Sequence, residues 1–132
     1  MVLDQTVEEN IALALDIANF PSNLVQSRLD EVLKLVNLTS RRQLFPSQLS
    51  GGELQRASLA RAIAINPDLI LADEPTGNLD SRTGDEIIGL FRKLNESLMS
   101  TIIMVTHDER IAHAAKRIIR LFDGLVVEDI RN

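Results

Sequence analysis

Apolar residues recur at three- and four-residue spacing through several stretches of the chain and run uninterrupted through two short ones. Thr6-Val7-Glu8-Glu9 is a Thr-x-x-Glu capping box that opens an amphipathic segment through Ile11, Leu13, Leu15 and Ile17. It predicts a helix over about residues 7–19, stopped by Pro21. A second helix follows Ser22, with Val25, Leu29, Val32, Leu33 and Val36 on one face and Arg28, Asp30, Glu31 and Lys34 elsewhere. Both helices read as surface-packed. Residues 37–48 have the mixed polar character of a connector, and Arg41-Arg42 within it reads as a solvated basic pair rather than a phosphate or lipid contact. Ser50-Gly51-Gly52-Glu53 is a second capping box, so Ser50 is the natural N-cap of a helix reaching about Ile65, where Asn66-Pro67 ends it.

Leu69 to Ala72 is a continuous apolar run, the pattern of a parallel strand buried on both faces, and it delivers Asp73 and Glu74 to its C-terminal tip. Asp80-Ser81 then caps a helix whose Ile87, Leu90, Phe91, Leu94 and Leu98 form a stripe. Thr101 to Val105 reads as a second buried strand, followed by His107 and a short helix starting near Asp108. Arg117 to Phe122 is a third strand, and Asp123-Gly124 favours a type I′ hairpin turn into Leu125-Val126-Val127. The alternation of strand and helix implies crossover connections and a largely parallel α/β sheet. In such sheets ligands bind beyond the carboxyl ends of the strands, where Asp73-Glu74 and Thr106-His107 both fall.

Composition narrows the classes. A chain of 132 residues with 45% hydrophobic residues fits one domain with a sizeable core. Fourteen basic residues against nineteen acidic give a net charge of −5, so no positive field points to nucleic acid as a partner. Without cysteine there is neither a disulfide framework nor a thiolate zinc site, which suits a reducing compartment. No apolar run approaches the ~20 residues of a membrane helix. Met1-Val2-Leu3-Asp4 also lacks the basic start of a signal peptide, so membrane association is expected only through a partner.

Leu49-Ser50-Gly51-Gly52-Glu53, the strand ending Asp73-Glu74, the turn Gly77-Asn78-Leu79-Asp80 and the later His107 resemble, in order and spacing, the motifs of ATP-binding-cassette (ABC) ATPases. Ala72 to Ser81 looks most like the branch serving lipoprotein-releasing and macrolide-exporter transporters. The resemblance implies ATP and Mg²⁺ as cofactors, with Asp73 holding the metal directly or through water. It also implies that Glu74 polarises the attacking water and that His107 contacts the γ-phosphate and steadies Glu74. Ser50, Gly51, Gly52 and Glu53 would bind a nucleotide held by a second ATP-binding subunit, and Asp80 would couple the two sites. As a helix N-cap, Asp80 has an equally good structural explanation. Glu53 stands where many relatives carry glutamine. His113 is expected to be an ordinary surface histidine.

A phosphate-binding loop needs Gly-x-x-x-x-Gly-Lys-Ser/Thr, and the only lysines here, Lys34, Lys93 and Lys116, follow Leu33, Arg92 and Ala115. The resemblance therefore covers the C-terminal part of the family's domain, and Gln5 is not the family's glutamine loop. The expected fold is a partial P-loop NTPase (RecA-like) parallel sheet with an N-terminal helical subdomain and a C-terminal β-hairpin. Residues 1–48 would dock on a transmembrane permease at the inner, cytoplasmic face of the membrane, and residues 49–132 would carry the signature helix and part of the ATPase core. Such a chain is expected to be inactive alone. Alternatives are a non-catalytic docking or dimerisation module and a non-transport cassette ATPase. In the family's sheet, the phosphate-loop strand lies between the His107 strand and the Arg117–Phe122 strand. Its absence is expected to leave a gap, closed by rearrangement, strand exchange with another copy, or another chain.

Overall fold

In the computed structural model, which describes Met1–Asn132, Thr6 caps helix α1 (Val7–Ile17) as its sequence demands. Its Oγ1 accepts from the Glu9 amide at 3.3 Å, and Glu9 accepts from the Thr6 amide at 2.7 Å. Helix α2 is Val25–Leu35, and Ser50 opens α3 (Gly51–Ile63) with the same reciprocal box. The stops of α1 and α2 are not made by proline. Asn19 and Asn37 adopt left-handed φ of 53° and 58°. Phe20 N–H donates to Leu15 O at 2.9 Å and Leu38 N–H to Leu33 O at 2.8 Å, the six-to-one bonds of a Schellman stop. Asparagine tolerates this conformation because its short side chain bonds locally.

Two buried polar side chains tie the helices together. Asn10 donates to the carbonyls of Val2, Gln5 and Thr6 and accepts from the Val2 amide, which fastens the entering chain to α1. Arg28, 5% exposed, donates from α2 to Ala64 O at 2.8 Å and Ile63 O at 2.7 Å. These carbonyls belong to the unpaired end of α3, where cationic donors are favoured. One apolar cluster then runs through Val7, Ile11, Leu15, Leu33, Ile63, Ile87 and Leu94.

Strand β1 (Leu69–Asp73) pairs in parallel with β2 (Thr101–Val105), joined by α4 (Ser81–Leu98), and α5 (Glu109–Ala112) follows. Strand β3 (Arg117–Phe122) pairs antiparallel with β4 (Leu125–Arg131). Asp123 and Gly124 both have positive φ, as a type I′ turn requires. The architecture is mixed α/β, as expected, with a parallel pair and a C-terminal hairpin. The expected gap is present: β1-β2 and β3-β4 are separate two-stranded sheets, and of the ways expected to close it, rearrangement within the chain does not occur. In one respect the structure departs from the sequence reading: β1 and β2 are not buried on both faces. Ile70 lies in the core, whereas Leu71 is 72% and Ile103 51% exposed. The continuous apolar run records what the strand prefers on each side, and within this chain helices cover only one side.

Candidate functional site

The carboxyl ends of β1 and β2 open into a cleft of about 130 Å³ whose wall includes Glu74, Gly77, Asp80, Ser81, His107 and Arg110. Glu74 leaves β1 in a left-handed conformation, φ 43°, and its amide donates to Val105 O at 2.9 Å, so the backbone turns out of the sheet while still fastened to β2. A non-glycine residue held there marks a constrained position. The carboxylate is met by the loop after β2. Oε1 lies 2.7 Å from His107 Nδ1 and accepts the His107 amide at 2.9 Å, while the Thr106 hydroxyl donates to Oε2 at 3.4 Å. The imidazole holds Glu74 below the usual carboxylate range, and Glu74 holds His107 above the usual imidazole range. Each partner thus favours the charged form of the other, the carboxylate of Glu74 and the protonated imidazole of His107.

Thr106 also anchors the following turn by accepting from the Asp108 amide at 3.1 Å, and Asp108 in turn accepts from the amide and guanidinium of Arg110, each at 2.9 Å. Asp73 ends β1 on its exposed face. No group of three or more His, Asp or Glu side chains converges anywhere in the chain. The chemistry of this donor set still fits Mg²⁺ in one way, because a hydrated Mg²⁺ takes one or two carboxylates and leaves its remaining positions to water and phosphate. His113 is exposed on its own helix, 3.9 Å from Glu109, as a surface residue.

Ser50, Gly51, Gly52 and Glu53 lie on the other side of the turn that carries Asp80. A Cβ on Gly51 would stand 3.3 Å from the Leu79 side chain, and one on Gly52 would stand 2.5 Å from Thr83 Cγ2. Gly52 is thus required within the chain itself by the close approach of α4, a reason the sequence did not disclose. Asp80 accepts from the Thr83 amide at 3.1 Å and from its hydroxyl at 2.6 Å, so it is the N-cap of α4 and also faces the Glu74 cleft. Thr83 lowers the Asp80 carboxyl through these bonds. The turn with Leu79 and Asp80 is consequently wedged between the start of α3 and the Glu74–His107 pair. Thr83 was missed in the sequence, although Asp80-x-x-Thr83 has the spacing of a helix-capping pair.

Arg41 stays exposed and Arg42 is half-buried, but neither is free: both are ion-paired. Arg42 grips Glu8 at 2.7 and 2.9 Å and Asp30 at 3.0 Å, and Arg41 meets Glu53 at 2.8 Å. Arg41, with the Ser50 amide, holds the Glu53 carboxyl at about 2.

The sequence profile described as "ABC transporter" matches residues 2–77. The chain belongs to the ABC transporter family. Over 101 residues it is 52% identical to the macrolide export ATP-binding/permease protein MacB of Rhodopirellula baltica, covering 76% of this chain and 15% of that protein. It is 44% identical over 125 residues to the cell division ATP-binding protein FtsE of Bacillus subtilis, 94% of this chain and 54% of that one. Among solved structures, the dimeric bacterial ABC transporter cassette MJ0796 superposes with a TM-score of 0.83 at 40% identity, over 99% of this chain and 58% of that one. The fold is that of an ABC cassette, and the chain spans just over half the length of that cassette and of FtsE. No helix is long and apolar enough to cross a membrane.

Proposed function

We propose that the chain acts as the signature-bearing and water-activating part of an ABC transporter ATP-binding subunit, coupling ATP binding and hydrolysis to transport. The observation that carries this reading is the Glu74–His107 pair, 2.7 Å apart at the carboxyl ends of two parallel strands. Phosphoryl transfer asks a protein mainly for positioning and charge stabilisation. Glu74 orients and polarises the attacking water, and His107 holds that carboxylate ionised and turned toward the cleft. Asp73 would hold Mg²⁺, which would neutralise phosphate charge when bound. On the far side of the Asp80 turn, Ser50 and the amides of Gly51, Gly52 and Glu53 face a nucleotide held by a second ATP-binding subunit. Asp80, touching both sides through its turn, couples the two sites.

The 132 residues contain no Gly-x-x-x-x-Gly-Lys-Ser/Thr, so tight ATP binding is expected only when a complete cassette supplies that loop. The purified chain should show no ATP-dependent thermal shift on its own. With a complete, hydrolysis-blocked cassette of the family, it should form an ATP-dependent complex that Ser50→Arg abolishes. A micromolar ATP affinity of the chain alone, lost in Asp73→Asn, would refute this division of labour.

A second role is favoured by a hollow between the helices, walled by Phe20, Leu24, Ser27, Arg28, Glu31 and Asn66. Here residues 1–48 dock on a transmembrane permease, which places the chain at the cytoplasmic face of the membrane with no direct contact to lipid. Co-purification with a permease should survive Glu74→Gln and fail on charge reversal within residues 22–42.

A further inference from the structure

Glu53 introduces a difficulty at the signature end of α3. Its Oε2 accepts the Ser50 amide at 2.9 Å, so the carboxylate sits beside the residue proposed to meet a terminal phosphate. An anion at that place repels another anion, and the positive end of the helix dipole offsets only part of a full charge. The answer lies twelve residues upstream. Arg41 donates from Nε to the other Glu53 oxygen, Oε1, at 2.8 Å, with side chains 48% and 28% exposed respectively. Arg41 is itself held in place. The adjacent Arg42 is clamped to Glu8 on α1 and Asp30 on α2, and the amides of Val7 and Glu8 donate to the carbonyls of Leu44 and Arg42 at 2.9 and 3.0 Å. The connector is thereby pinned to α1 and α2 while its one free guanidinium reaches the start of α3.

We propose that Arg41 is a positioning residue of the signature site, cancelling the charge of Glu53 and fixing the Glu53–Ser50 box so that Ser50 can receive a terminal phosphate. This rests on the signature role proposed above for Ser50. It also gives the departure from glutamine a physical meaning: a glutamine would keep a neutral box without help, whereas a glutamate requires a cation. Because Arg42 ties the same connector to α1 and α2, the Arg41–Glu53 bond is a link from those helices to Ser50 beside their direct packing on α3.

The test is a charge cycle with two readouts. In the chain alone, Arg41→Met should raise the Glu53 carboxyl toward the ordinary carboxylate range in a carbon-detected NMR titration. In ATP-dependent association with a complete, hydrolysis-blocked cassette, Arg41→Met should weaken binding about three- to fivefold. Arg41→Lys should keep most of it. The double variant Arg41→Met/Glu53→Gln should match Glu53→Gln alone, because a neutral glutamine leaves nothing to cancel. A residue needed only for folding, or one that bound phosphate directly, would not be rescued by Glu53→Gln. Failure of that rescue, or unchanged binding in Arg41→Met, would overturn the proposal while leaving the signature reading intact. If the wild-type chain shows no ATP-dependent association at all, the signature reading itself falls and takes this proposal with it.

Discussion

At the scale of single residues, the site rests on contacts between positions far apart in sequence. Glu74 and His107 belong to different strand ends and meet through a side-chain hydrogen bond of 2.7 Å and the His107 amide at 2.9 Å. Because the folded chain raises His107 above its ordinary value, the contribution of its protonation is present at low pH and is lost as pH rises through that raised value. Glu74 is lowered, so its contribution is present above its ordinary value and is lost as pH falls through the lowered one. The two signs leave a window between the lowered carboxyl and the raised imidazole in which the pair is intact. Glu74→Gln should return the His107 titration, read from imidazole NMR shifts, toward its ordinary value. An unmoved midpoint would mean that the pair does not persist in solution. Gly52 permits a second test at this scale. Gly52→Ala forces a methyl against Thr83 Cγ2 and should cost about 1–3 kcal/mol in chemical denaturation. Thr83→Ser removes that methyl, keeps the hydroxyl bonded to Asp80, and should recover most of the loss.

At the scale of elements, what is local could be read and what is not local could not. Both capping boxes were legible because all their partners lie within four residues, and the structure reproduces Thr6–Glu9 and Ser50–Glu53 with their reciprocal bonds. The Asp123-Gly124 turn was legible for the same reason. The stop of α1 was misread at Pro21, because left-handed Asn19 ends the helix first, whereas Asn66, named with Pro67 as the end of α3, does turn left-handed there. The partners of Arg41 and Arg42 were illegible, since Glu8 and Glu53 are brought to them only by packing of α1 and α3. Arg28 is the clearest case: its helical position reads as exposed, yet it is buried against the last carbonyls of α3. Arg28→Met would leave Ala64 O without a donor and Ile63 O with only the Asn66 amide at 3.1 Å, and should cost about 3 kcal/mol, measured by urea unfolding. Met99 ends α4 with φ 55° while 85% exposed, a strained place for a side chain that packs against nothing. Met99→Gly should therefore stabilise the chain by about 1 kcal/mol, visible as a higher Tm.

At the scale of the whole molecule, the helices complete a core that the strands do not. On the uncovered face of the parallel pair, Leu69 and Leu71 stand beside Thr101 and Ile103, with Val105 following, and in the hairpin Leu121, Phe122, Leu125, Val126 and Val127 are exposed as well. Monomeric proteins rarely leave apolar area so extended open to water, and unpaired strand edges beside it invite pairing with another chain. Strand burial could not be read from the sequence because it depends on a layer that no residue of this chain supplies. For the isolated chain the expected outcome is association with further copies of itself through these faces. Light scattering should return a mass above 14.7 kDa that rises with concentration. Leu71 and Ile103 are register partners at the centre of the exposed face, so Leu71→Lys with Ile103→Glu places opposite charges side by side without touching the helical core. That double variant should reduce the mass to the monomer with little change in Tm. If the wild-type chain were monodisperse and monomeric at the same concentrations, the uncovered face would have to be hidden by an arrangement of β3 and β4 other than the one described.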